Sequence, residues 1–196
     1  MLSLKNSLEV LRKTNALLEG HFVLSSGLHS PMYIQCAKLL SHPRDSKNLC
    51  KSLSKKIKRK FKKIDLILSP AMGGIIIGYE IGRLLNKETI FAERVNGKFS
   101  LRRGFTIKKN SKVLIIEDVI TTGKSSLECV KLINKSKAKL LGFAAIINRS
   151  NQKTLKIKGK KIVSQISIKV PTFKKKNLPD YLKKIPVTTP GSRFIK

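Results

Sequence analysis

Two adjacent carboxylates, Glu117 and Asp118, stand just before Thr121, Thr122, Gly123, Lys124, Ser125 and Ser126. The acids bring negative charge, and the turn that follows brings hydroxyls, backbone N–H groups and a flexible glycine suited to a phosphate. Ahead of them, Val113 to Ile116 form a short apolar run, the pattern of a strand buried on both faces. Behind them, Leu127, Val130, Lys131 and Asn134 begin a helical pattern. Ligands of open α/β sheets sit beyond the carboxyl ends of strands, where a helix N-terminus can receive phosphate. The stretch therefore reads as an acid pair and a phosphate cradle on one turn. It is not a Walker A loop, which needs a glycine five residues before its Gly-Lys; Asp118 stands there and would repel the phosphates.

Other elements must hold that turn in place. Leu4, Leu8, Leu11 and Leu18 suggest an amphipathic N-terminal helix within residues 1–18. Phe22 to Leu24 and Met32 to Gln35 read as short strands around a Ser/Gly turn, with Pro31 as punctuation. Leu49, Leu53, Ile57 and Phe61, spaced by four, predict a basic amphipathic helix over 43–63. A strand at 65–70 leads through the glycines of AMGG into an apolar helix at 71–85. Strand 89–94 continues into a hairpin turning at Asn96-Gly97. Residues 139–150 form a long apolar strand ending in Arg149; 161–170 read as an edge strand and 178–187 as holding a short helix.

The 196 residues suit one domain, with 41% hydrophobic residues and no run long enough to span a membrane. Three scattered cysteines suggest a reducing compartment, by default the cytoplasm. The net charge of +31 raises the question of nucleic acid. Its lysines are spread along the chain and aromatics are only 6%, so solvated basic faces are favoured over a nucleic-acid partner. His21 and His29 read as surface residues.

Two segments carry a family resemblance. VLIIEDVITTGKSS resembles the phosphoribosyl-pyrophosphate (PRPP) motif of type I phosphoribosyltransferases. GHFVLSSGLHSPMY resembles the hood segment of their orotate-specific members. The likeness runs from about residue 15 to the end, where TTPGSR resembles the family's C-terminal segment. It implies an α/β type I phosphoribosyltransferase fold: a mostly parallel central sheet flanked by helices, with a small hood from about 1–40 and 170–196. It implies transfer of phosphoribose from PRPP to orotate, giving orotidine 5′-monophosphate and pyrophosphate in pyrimidine biosynthesis. Mg²⁺ is the implied cofactor, held mainly by PRPP and water. The implied assembly is a homodimer whose basic loop reaches the partner's site.

By resemblance Glu117 and Asp118 are catalytic. PRPP falls to Arg94, Lys98, Glu117, Asp118, Val119, Ile120, Thr121, Thr122, Gly123, Lys124 and Ser125; orotate falls to Thr121 and Arg149. The chain departs from the better-known pattern in a shorter basic loop, with Lys98, Arg102 and Arg103 as its cations. Met72 and Gly73 stand where the pyrophosphate turn often has lysine, and Ser25 where the hood turn does. Two alternatives remain: a PRPP-sensing regulator of the same fold that binds nucleic acid, and a purine phosphoribosyltransferase.

Overall fold

The computed structural model describes residues 1–24, 26–150 and 160–190. Ser25, most of the basic run 156–161 and the end of TTPGSR lie outside them. Helix α1 (Leu4–Lys13) is capped by Ser3, whose hydroxyl accepts from the Asn6 N–H. It ends sooner than the leucine spacing suggested: Leu18 belongs to strand β1 (Leu17–Val23), paired antiparallel with β2 (His29–Ile34). After α2 (Cys36–Leu40), Pro43 occupies the first turn of α3 (Pro43–Lys60), where its missing N–H costs nothing. Leu49, Leu53 and Ile57 are buried along one side of α3, while Lys47, Lys51, Lys55 and Lys58 stay in water.

Strand β3 (Leu66–Pro70), helix α4 (Gly73–Leu85) and β4 (Glu88–Val95) make a parallel crossover. The Asn96-Gly97 turn then folds β5 (Lys98–Leu101) back on β4, pairing Val95 with Lys98. Strand β6 (Lys112–Ile120), helix α5 (Lys124–Lys135) and β7 (Lys139–Asn148) make a second crossover, and β8 (Lys161–Ser167) closes the edge. The central sheet runs β5-β4-β3-β6-β7-β8, parallel except for β5. One core cluster packs α1 to α4 on one face, and a second packs α5 on the other. The order reverses between β3 and β6, so their carboxyl ends open a crevice at a topological switch point.

The terminal segments meet in a separate sheet ordered β2-β1-β9, where β9 (Val187–Thr188) follows the short helix α6 (Asp180–Lys183). This is the hood. Here the surface reading of the histidines is corrected: His21 is 3% exposed and His29 7%. His21 Nε2 lies 2.7 Å from His29 Nδ1, and His21 Nδ1 lies 3.1 Å from the Ile185 carbonyl. Burial, then the neighbouring His21 and Lys175, lowers the His29 pKa. Both rings are enclosed where β1, β2 and the C-terminal segment converge, a long-range meeting with no local sequence signal.

Candidate functional site

The strand that holds the apolar run from Val113 does not stop before the acids. Strand β6 continues to Ile120, so Glu117 and Asp118 both sit on it. Successive strand side chains point to opposite faces, so the pair is divided between the two layers. Each acid meets the start of a different helix. Glu117, 8% exposed, accepts a hydrogen bond from the Ser126 hydroxyl in the first turn of α5. Burial is the main reason its pKa rises to about 7; the Asp118 charge adds to that, and the Ser126 hydrogen bonds oppose it. Asp118 turns to the opposite face, against the start of α4. Burial raises its pKa also, while the Val119 N–H, 2.8 Å from Oδ1, favours the charged form.

The glycine-rich turn is what lets Asp118 fit. A Cβ on Gly73 would lie 2.6 Å from Asp118 Oδ2, inside any real contact distance. The turn after β3 and the acids at the end of β6 thus form one site across the switch point. Gly73→Ala should push the Asp118 carboxylate aside. Misplacement of that size can cost on the order of a hundredfold in kcat, while alanine favours the helix. Native turnover in a folded Gly73→Ala protein would show that the carboxylate's position is not used.

The turn expected to hold phosphate joins the end of β6 at Ile120 to the start of α5 at Lys124. Thr121, Thr122 and Lys124 are exposed and Ser125 is half-buried. Gly123 is the N-terminal cap of α5 with φ 72°, a left-handed conformation that glycine adopts without strain. Val119 is half-buried, whereas Ile120 is buried with its side chain in the core, leaving only its backbone for a ligand. The Ile120 carbonyl accepts from the Arg149 N–H at 2.8 Å, which ties the end of β7 to the turn. Ser126 departs from the cradle altogether: it is fully buried and bonded to Glu117.

Arg149 follows β7 by one residue and is half-buried. Burial alone lowers its pKa, and no carboxylate among the described residues lies within ion-pair distance. Arg94 is differently placed. Its guanidinium makes two bonds to Glu128 of α5, at 2.8 and 3.2 Å, and one to the Gly97 carbonyl, and it rests 4.2 Å over the Phe99 ring. It therefore faces α5 rather than Asp118. The pair is open to water, with Arg94 40% exposed, and such pairs contribute under about 1 kcal/mol. A phosphorylated ligand can compete for it. Of the loop cations, Arg103 is held by Glu93 at 2.7 Å, and Lys98 is exposed. Lys98 and Phe99, facing Thr122, Lys124, Leu127 and Lys131, line a cavity of about 670 Å³ beside the phosphate turn.

The sequence reading missed Ser126 as the partner of Glu117, Glu128 as the partner of Arg94, and the contact of Gly73 with Asp118. Only the first left a local trace, a hydroxyl at the third position of the helix after the turn.

Residues 38–178 match the family model described as the phosphoribosyl transferase domain. The chain is 44% identical over 189 residues to an orotate phosphoribosyltransferase of Parvibaculum lavamentivorans, covering 96% of each. It is also 44% identical to one of Erythrobacter litoralis, over 95% of this chain and 96% of the relative. In fold it is similar to the crystal structure of orotate phosphoribosyltransferase from Aeropyrum pernix, with a TM-score of 0.71 at 23% identity, over 82% of this chain and 92% of that one.

Proposed function

The chain belongs to the orotate phosphoribosyltransferases of the phosphoribosyl transferase domain family, and from that premise we infer that it transfers phosphoribose from PRPP to orotate, giving orotidine 5′-monophosphate and pyrophosphate in pyrimidine biosynthesis. The geometric observation that carries this reading is Arg149. A half-buried cation without a described acidic partner, tied by its backbone to the phosphate turn, is suited to a planar carboxylate. Orotate has that carboxylate and uracil lacks it. Adenine phosphoribosyltransferases share the fold, so the fold alone does not choose the base.

Breaking the bond from C1′ to pyrophosphate builds positive charge on the ribose ring, as glycoside cleavage does. In this reading Glu117 and Asp118 hydrogen-bond the ribose hydroxyls and stabilise that charge. Thr121, Thr122, Gly123, Lys124 and Ser125 hold the 5′-phosphate, with Val119 and Ile120 contributing backbone. The turn at Gly73 takes the pyrophosphate through backbone N–H groups. Arg94 and Lys98 supply positive charge at the leaving group, Arg94 by exchanging its bonds to Glu128. Thr121 and Arg149 hold orotate. Its ring nitrogen is the nucleophile, so no protein nucleophile is required.

Mg²⁺ is part of the proposal. In this reading the ion is carried on PRPP oxygens and water rather than in a cage of protein side chains. Bound there, it would neutralise charge on pyrophosphate.

The same reading takes residues 1–196 as one phosphoribosyltransferase domain in a cytoplasmic homodimer. Ile76 and Tyr79 on α4, with Met72 just ahead of it, form an exposed apolar stripe, and Glu80 and Arg83 of the same helix neutralise each other. On so basic a chain, that is a face where two copies can approach without repulsion. A monomer in sedimentation would remove the dimer from the proposal. No helix among the described residues is long and apolar enough to cross a membrane, and Cys36, Cys50 and Cys129 are free thiols. The basic surface would draw in polyanionic PRPP without a nucleic-acid role.

The test is orotate absorbance followed with PRPP and Mg²⁺ present, then with each omitted. Orotate should disappear only in the complete mixture, and uracil in its place should not be consumed. Faster consumption of uracil or a purine would overturn the assignment.

A further inference from the structure

The Ser126 hydroxyl is turned away from the phosphate turn and toward the acid pair. We propose that Ser126 is a positioning residue for the transfer: its hydroxyl donates to Oε1 of Glu117 and fixes that carboxylate where the ribose hydroxyls meet it. This rests on the role given above to Glu117.

Both partners are enclosed, Ser126 at 0% exposure and Glu117 at 8%, so water is a poor substitute for either. The Ser126 N–H faces the same carboxylate, so one residue of the first turn of α5 offers it two donors. That turn starts at Gly123, the cap that closes the phosphate turn. A 5′-phosphate seated on Thr121 to Ser125 would therefore fix the helical turn that aims Glu117. Phosphate binding and ribose recognition share one short rigid segment.

The electrostatics give the contact a second consequence. On β6 the charged neighbour of Glu117 is Asp118. From α5, Cys129 faces Glu117, and the Glu128–Arg94 pair lies around that thiol. In the adjacent strands, β7 sets Ala145 opposite Glu117, and β3 carries no ionisable residue. No cation among these neighbours bonds the carboxylate, so the Ser126 donors are what oppose burial and the Asp118 charge. Without the hydroxyl, the acid should stay protonated to higher pH. A carboxylate with a raised pKa is charged only above it, so the acid limb of the rate should move to higher pH.

The experiment labels glutamate carboxyl carbons and follows the Glu117 resonance, assigned with Glu117→Gln, in wild type, Ser126→Ala and Ser126→Thr. The folded protein is titrated without substrate, so the readout does not depend on turnover. The Glu117 midpoint should rise by about one pH unit in Ser126→Ala, as loss of a bond to a charged group implies, and stay near wild type in Ser126→Thr. In parallel, kcat of Ser126→Ala should fall about fivefold near neutrality, approaching about tenfold in acid buffer, and recover in alkaline buffer, with KM for orotate unchanged. An unmoved midpoint in Ser126→Ala overturns the proposal, as does an equal loss of kcat at every pH. A shifted midpoint with an unshifted rate profile overturns the role in transfer and places the fault in the assignment of Glu117.

Discussion

Asp118→Asn should lower kcat by about a hundred- to a thousandfold while PRPP affinity hardly changes, the loss expected when one preorganised electrostatic contact is removed. The substitution keeps the side-chain shape, and its amide oxygen can still accept from the Val119 N–H, now 2.8 Å from Oδ1. What disappears is the negative charge. It sits against the start of α4, where a Gly73 Cβ would be 2.6 Å from Oδ2. Burial already raises the Asp118 pKa, so the charged form is kept at a cost. Asparagine relieves that cost, and the variant should be no less stable than wild type, rising relative to it as pH climbs through the Asp118 pKa. A single-turnover measurement with PRPP affinity determined separately checks the kinetics, and thermal melts across pH check the stability. Native turnover in Asp118→Asn would remove the carboxylate from the chemistry.

Arg149→Ala should raise the KM for orotate about ten- to a hundredfold and leave that for PRPP nearly unchanged, the range expected for a charge-assisted hydrogen bond of roughly 1.5–3 kcal/mol. The guanidinium can offer two parallel donors to a carboxylate, a fork that lysine cannot reproduce, so Arg149→Lys should recover only part of the affinity. No described acid loses an ion-pair partner when the side chain goes, so the fold should hold. The backbone bond from Arg149 to the Ile120 carbonyl is retained in both variants. Initial rates against each substrate in turn provide the measurement. Equal losses for PRPP and orotate would make Arg149 part of the scaffold, and base recognition would then have to lie elsewhere.

What the amino-acid order decided by itself was local and periodic. Leu49, Leu53 and Ile57 recur every four residues, a spacing that puts them on one side of a helix, and there they are buried. Val113 to Ile116 cannot leave water except inside a sheet with both faces covered. Asn96-Gly97 sets the turn between β4 and β5 through backbone preference alone. The acid pair and the hydroxyl-rich turn were legible for the same reason, since a strand, a turn and a helix in sequence order keep their residues together in space.

Tertiary structure decided whatever depends on segments far apart in the chain meeting. Glu117 and Asp118 are neighbours in sequence, yet strand alternation sends them to opposite faces, where Ser126 meets one and Gly73 the other. Arg94 lies one residue before the end of β4, close to where the sequence put it, but is bonded by Glu128, 34 residues later. His21 and His29 carry no periodic signal; they are buried because the C-terminal segment returns to lay β9 beside β1 and the Ile185 carbonyl against His21. Spacing along a chain can report which face a residue takes. It cannot report which distant helix will start against that face, because that is settled by the crossovers that wind α4 and α5 onto opposite sides of the sheet.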